Sequence, residues 1–137
     1  MLRKGSAEVR QPSFSDLARA RVVPPDHELL RMKRAVDWTF VDETLAAAYA
    51  KDTGRPGYPP QLLLRMLYLE FYANLSDRQV AEQVGYNLLY REFVGLSLEE
   101  PVPDDTTLVL FRQRLGEAGG RKLFDQLNAA AKAAGLV

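Results

Sequence analysis

The stretch from Gln61 to Tyr72 limits this chain more than any other. It carries Leu62, Leu63, Leu64, Met66, Leu67, Leu69 and Phe71, which wind round every side of a helix. A helix without a polar face is stable in water only when other elements surround it, so this one predicts the buried centre of a multi-helix domain. It is too short to span a bilayer, and Arg65 and Glu70 interrupt it. Pro59 or Pro60 suits its first turn, where no N–H is needed.

Helices can be placed on both sides of this centre. One begins after Asp26, with Leu29, Met32 and Val36 at helical spacing. The pattern breaks around Asp37–Asp42, and a second segment covers Glu43–Ala50. Residues 51–58 form a loop punctuated by Gly54, Pro56 and Gly57. Ser76-Asp77-Arg78-Gln79 matches a capping box and opens a short helix with Val80, Ala81 and Val84, which Gly85 ends. Asn87 caps the next, with Leu89, Phe93 and Leu96 inward and Gly95 at its end. Asp104 or Asp105 caps a helix running to Leu115, which Gly116, Gly119 and Gly120 break. Arg121–Ala134 is the last, with Leu123, Leu127 and Ala131 on one stripe and Gly135 beyond it. No period-2 run marks a strand, and no repeat is visible. The expectation is an all-α, compact multi-helix domain over residues 26–137. Residues 1–25 form an extended, partly disordered N-terminal arm, broken at Pro12, Pro24 and Pro25, with room for a short helix at 14–21.

A chain of 137 residues, 47% hydrophobic and 26% charged, is long enough for one sizeable core. It has no cysteine and therefore no disulfide framework. The N-terminus lacks the apolar run of a secretory signal, and a cytoplasmic protein is expected. Net charge is zero, but unevenly spread. Residues 1–34 hold 8 Lys/Arg against 4 Asp/Glu, residues 35–100 hold 5 against 10, and residues 101–137 hold 5 against 4. A basic arm suits DNA, and solvated surface suits it as well.

The two short helices at 76–95, with a glycine-bearing turn between them, match a helix–turn–helix pair, whose second helix lies in the major groove. Packing of any helical bundle gives the same pattern. If the pair binds DNA, Asn87, Tyr90 and Arg91 are its exposed candidates, joined by Arg78. The helix at 106–115 offers Thr106, Thr107, Gln113 and Arg114 away from its Leu108/Phe111/Leu115 stripe, with Arg112 beside them. Gln and Arg suit base edges, and Thr near a helix N-terminus suits phosphate. Gly54-Arg55-Pro56 has the core of a minor-groove hook, with Arg55 as its point, or is a plain turn. Catalysis finds no support: His27 is the only histidine, and Glu99-Glu100 and Asp104-Asp105 are explained by capping and surface charge. No cofactor, membrane or small-molecule substrate is indicated.

From His27 to Leu115 seven pieces stand in one order: Val36-Asp37-Trp38-Thr39-Phe40-Val41; Gly54-Arg55-Pro56 with Pro59-Pro60; Leu62-Leu63-Leu64-Arg65-Met66-Leu67; Ser76-Asp77-Arg78-Gln79; Asn87 through Ser97; Pro103 through Leu108; and Phe111-Arg112-Gln113-Arg114-Leu115. Together they resemble the N-terminal domain of bacterial insertion-sequence transposases of the insertion-sequence-five type. Residues 1–26 fall outside the resemblance. It implies an all-helical domain preceding an RNase H-like catalytic domain, whose two aspartates and one glutamate bind divalent metals such as Mg²⁺ for strand cleavage and transfer. This chain stops about where that domain would begin, and none of its carboxylates matches the triad. The resemblance therefore implies a truncated, non-enzymatic chain whose partner is double-stranded DNA at the element's terminal inverted repeats. The alternative is a module that dimerises the transposase or packs on the full-length protein. One pair departs from the family pattern. Val109-Leu110 stands where relatives tend to carry polar or basic residues, and it suits a protein contact.

Overall fold

The computed structural model describes residues 14–50 and 58–135, and every regular element among them is a helix. In order these are α1 (Phe14–Val22), α2 (Glu28–Ala35), α3 (Thr39–Ala50), α4 (Pro60–Ala73), α5 (Asp77–Tyr86), α6 (Leu88–Val94) and α7 (Asp105–Ala133). The expected all-α domain is what the structure shows. Residues 1–13 of the arm and the Gly54-Arg55-Pro56 turn, with Arg55, lie outside the described residues. The short helix foreseen at 14–21 is α1. Its last turn is tied to the body: Arg19 donates to Leu96 O at 2.5 Å, and Val23 is buried.

α4 occupies the centre. It packs against α3, α5, α6 and α7, and buries Leu62, Leu63, Leu64, Met66, Leu67 and Leu69. Only its far end emerges, where Phe71 is 75% exposed and meets Phe124 edge-on at 4.9 Å. Pro59 is the N-cap and Pro60 the first helical residue, positions at which a missing N–H costs nothing.

α2 begins after Asp26 as expected, with His27 as its N-cap, Nδ1 accepting from Leu29 N at 3.1 Å. Two other boundaries differ from the sequence expectation. α3 starts at Thr39 rather than Glu43, because Asp37 accepts from both the N–H and the hydroxyl of Thr39. Gly85 does not end α5. The helix runs on to Tyr86, and Asn87 alone is both the C-cap of α5 and the N-cap of α6. The capping box of Ser76 and Gln79 is present in both directions.

α7 breaks once rather than three times. Gly119 and Gly120 are helical, but Gly116 sits at φ 66° and ψ 171°, a combination open only to glycine. The reason is a slip of phase. Leu108, Phe111 and Leu115 are buried, as are Leu123, Leu127 and Ala131. On a straight helix Leu123 would lie about 80° round from Leu115. The kink at Gly116 turns both stripes onto the same core.

Candidate nucleic-acid interface

None of the exposed charge of the domain lies on α6. α6 reads Leu-Leu-Tyr-Arg-Glu-Phe-Val and packs against α2, α4 and α5. None of its residues is exposed. Of the three candidates there, Asn87 accepts from Tyr90 N at 3.1 Å as the N-cap, and Tyr90 packs against the core. Arg91 is 9% exposed, contrary to the exposure expected of it. Its Nη1 donates to Ser97 O at 2.6 Å and to Glu100 O at 3.1 Å, and Glu100 in turn accepts from Ser97 N at 3.1 Å. A helix with five apolar residues in seven has no side left for a groove. Arg91 instead knits the 97–100 turn that leads into α7.

At its C-terminal end α6 is closed by cations that sequence inspection did not foresee. Lys33 of α2 donates to Glu92 O at 2.5 Å, Arg65 of α4 to Val94 O at 3.3 Å, and Arg19 of α1 to Leu96 O. Cations at a helix C-terminus complement its dipole and its orphan carbonyls. Gly95 follows α6 in the left-handed region at φ 96°, which favours glycine; space does not demand it, for a Cβ there would meet Arg65 Nη1 at an ordinary 3.5 Å. Arg65 also stacks 4.5 Å over the buried Trp38 ring. Burial, reinforced by the nearby Arg65 charge, lowers the Lys33 ammonium to about 8. These residues come from three distant helices, so no local motif announces them. Part of the basic charge counted in residues 1–34 is thus spent inside the fold.

The first half of α7, residues 105–115, differs. Asp104 caps it, accepting from Thr107 N and Oγ1 at 2.8 Å each, which holds its carboxyl below the usual range. Thr107 is therefore committed to the cap and does not offer its hydroxyl to a phosphate. Leu108, Phe111 and Leu115 face the core, while Thr106, Val109, Leu110, Arg112, Gln113 and Arg114 are exposed. At 100° per residue, Thr106 and Gln113 lie on the outermost line. Val109 and Leu110 flank it, 40% and 42% exposed, and Arg112 and Arg114 mark the two edges. Arg112 is held by Asp77 of α5 and lies 4.0 Å from Glu70 of α4, which pins α7 across both helices. Arg78, on the outer face of α5, pairs with Glu82 at 3.6 Å. The structure thus gathers Thr106, Gln113, Arg114 and Arg112 on one helix and leaves Asn87, Tyr90 and Arg91 inside.

Set against known families, the sequence matches a transposase domain, DUF772, over residues 17–114. The chain belongs to this transposase-domain family. Its role therefore lies in transposition. No solved structure matches it. The match starts at residue 17, ten residues before the resemblance drawn from motifs, so the greater part of α1, with the Arg19 that reaches Leu96 O, belongs to the transposase domain. The family region ends with the residues that close the exposed face of α7. Among the described residues of this transposase domain no helix is long and apolar enough to cross a membrane.

Proposed function

We propose that this transposase domain binds double-stranded DNA at the terminal repeats of its element, with the first half of α7 as the helix that enters the major groove. The observation that carries the reading is the outward row on that half-helix, Thr106, Val109, Leu110 and Gln113 between Arg112 and Arg114, on an element pinned from behind. Glutamine can pair in two places with adenine, and threonine and apolar side chains can cover a thymine methyl. Arginines at the two edges of the row suit the phosphates on either side of a groove. In this reading Arg91 and the α5–α6 pair support the turn that presents α7. The chemistry of strand cleavage and its Mg²⁺ belong to a catalytic domain outside these residues.

Fluorescence anisotropy on the terminal-repeat duplex and on a scrambled duplex, across a salt series, tests this. Expected are a preference for the repeat and a steep loss of affinity with salt. Gln113→Ala lowers the preference by about 5- to 100-fold, the cost of one paired base contact. Arg114→Ala weakens both duplexes alike and reduces the salt slope by about one. Absence of binding to either duplex at low salt would overturn the proposal. A second reading rests on Val109 and Leu110, which fit an apolar contact with another copy or with the rest of the transposase. Such a contact would show in sedimentation as self-association that salt does not weaken.

A further inference from the structure

Behind the exposed row of α7, Glu70 of α4 and Asp77 of α5 stand side by side against one guanidinium. The Glu70 side chain is only 12% exposed and that of Asp77 20%, whereas Arg112 is 49% exposed. Arg112 Nη2 contacts Asp77 Oδ1 and lies 4.0 Å from Glu70 Oε1. The other oxygen, Glu70 Oε2, is buried with no donor, although Asp77 lies within hydrogen-bonding reach of Glu70. Two carboxylates are both acceptors, so that bond exists only when one of them carries a proton. Burial, then the bond to Asp77 and its charge, push the Glu70 carboxyl up to about 8, with Arg112 pulling the other way. The charges acting on it come from Asp77 on α5 and Arg112 on α7; the described residues of α3 and α6, also packed on α4, add none.

We propose that Glu70 and Asp77 form a proton-accepting counter-site for Arg112, so that when Arg112 turns from Asp77 to a DNA phosphate the carboxyl pair takes up a proton from solvent. The inference rests on α7 being the helix that faces DNA. Arg112 lies at the edge of the exposed row, and swinging it outward removes the cation that, among the described residues, favours the ionised pair. Glu70 then holds its proton to higher pH. The sign follows: protonated in both states below about pH 7, the pair makes affinity independent of pH there. Above that, the free protein loses its proton first, so affinity falls as pH rises through 8 and beyond. The total fall is about tenfold for each pH unit by which the Glu70 midpoint moves. Glu70 is thus a positioning residue, acting through Arg112.

The test uses the full chain and the terminal-repeat duplex, with dissociation constants measured from pH 6.5 to 9.5 at fixed salt. Wild type should be flat at the acid end and weaken above. Glu70→Gln, neutral throughout, should keep its affinity at the alkaline end. Lys33, which also titrates near 8, is unchanged in the variant, so the difference between the two profiles isolates Glu70. Identical profiles would overturn the proposal. A DNA-free arm separates its failure from that of the α7 reading. In Arg112→Gln the carboxyl resonance of Glu70, followed by carbon NMR, should titrate at higher pH than in wild type. An unmoved midpoint rejects the counter-site whatever DNA does, whereas a moved midpoint with no DNA binding at any pH rejects the reading of α7 and with it the DNA coupling.

Discussion

α6 and the first half of α7 begin alike. Each is opened by a side-chain amide or carboxylate that accepts from the N–H three residues on, Asn87 from Tyr90 and Asp104 from Thr107. Each carries arginine, and in the sequence each qualified as the helix that reads DNA. They end differently because of how many sides are packed. α6 lies against α2, α4 and α5 and exposes no residue, so its arginine serves the backbone of the next turn. The first half of α7 buries one stripe and leaves the rest to solvent. An arginine in a helix therefore says little about function until the number of neighbours is known.

The largest expected effect lies in α6. Phe93 is fully buried and meets Trp38 edge-on at 6.4 Å; Phe93→Ala should cost about 4 kcal/mol in urea unfolding, the usual loss for a core phenylalanine. Arg91→Ala should follow at about 2 kcal/mol, since it takes a charged donor from two carbonyls, of which Ser97 O keeps the Glu100 N–H at 3.2 Å. If Arg91→Ala instead folds as well as wild type but loses DNA, then α6 is the recognition element and the contrast drawn here is inverted.

Much of this was legible in the residues. The all-round apolarity of Gln61–Tyr72 placed α4 at the centre, and three- and four-residue spacings identified the buried stripes of α7. The burial of α6 was legible in kind as well, for Leu88, Leu89, Tyr90, Phe93 and Val94 leave it hardly a polar face. Helix–turn–helix spacing competed with that signal, and Asn87, Tyr90 and Arg91 stood as exposed candidates only if the pair bound DNA. What could not be read was anything set by distant partners. The cations of Arg19, Lys33 and Arg65 meet at the end of α6 only because α1, α2 and α4 converge there. Arg112, foreseen as a DNA contact, gains its two carboxylate neighbours from α4 and α5. The single residue at the α5–α6 joint was missed for a local reason: Gly85 looked like a stop, but helical φ and ψ cost glycine stability without forbidding it.

Within α7 the two halves can be set against each other. Gly116→Ala should lose about 2 kcal/mol, because φ 66° with ψ 171° is a region that a side chain enters only under strain. Nothing lies within 4 Å of the added Cβ, so the loss comes from the backbone alone. Thermal unfolding by circular dichroism should show a lower midpoint at unchanged helix content. An unchanged midpoint would mean that the two halves already move independently.

The smallest effect on stability carries the most about function. Gln113 lies on the outermost line of α7 and is exposed, so Gln113→Ala should change stability by no more than about 0.5 kcal/mol, as exposed substitutions generally do. Alanine is also the better helix former, and any change should favour the fold. The same substitution is expected to lower the preference for the terminal repeat by the cost of one base contact. Arg91→Ala should do the reverse, losing stability first and DNA binding only as the folded fraction falls. Measured together at one temperature well below both unfolding midpoints, the pair separates a residue that reads from one that supports. If Gln113→Ala keeps full preference for the repeat, the outward face of α7 is not the reading surface, and Val109 and Leu110 on that face become the contact to test, by sedimentation of a Leu110→Lys variant.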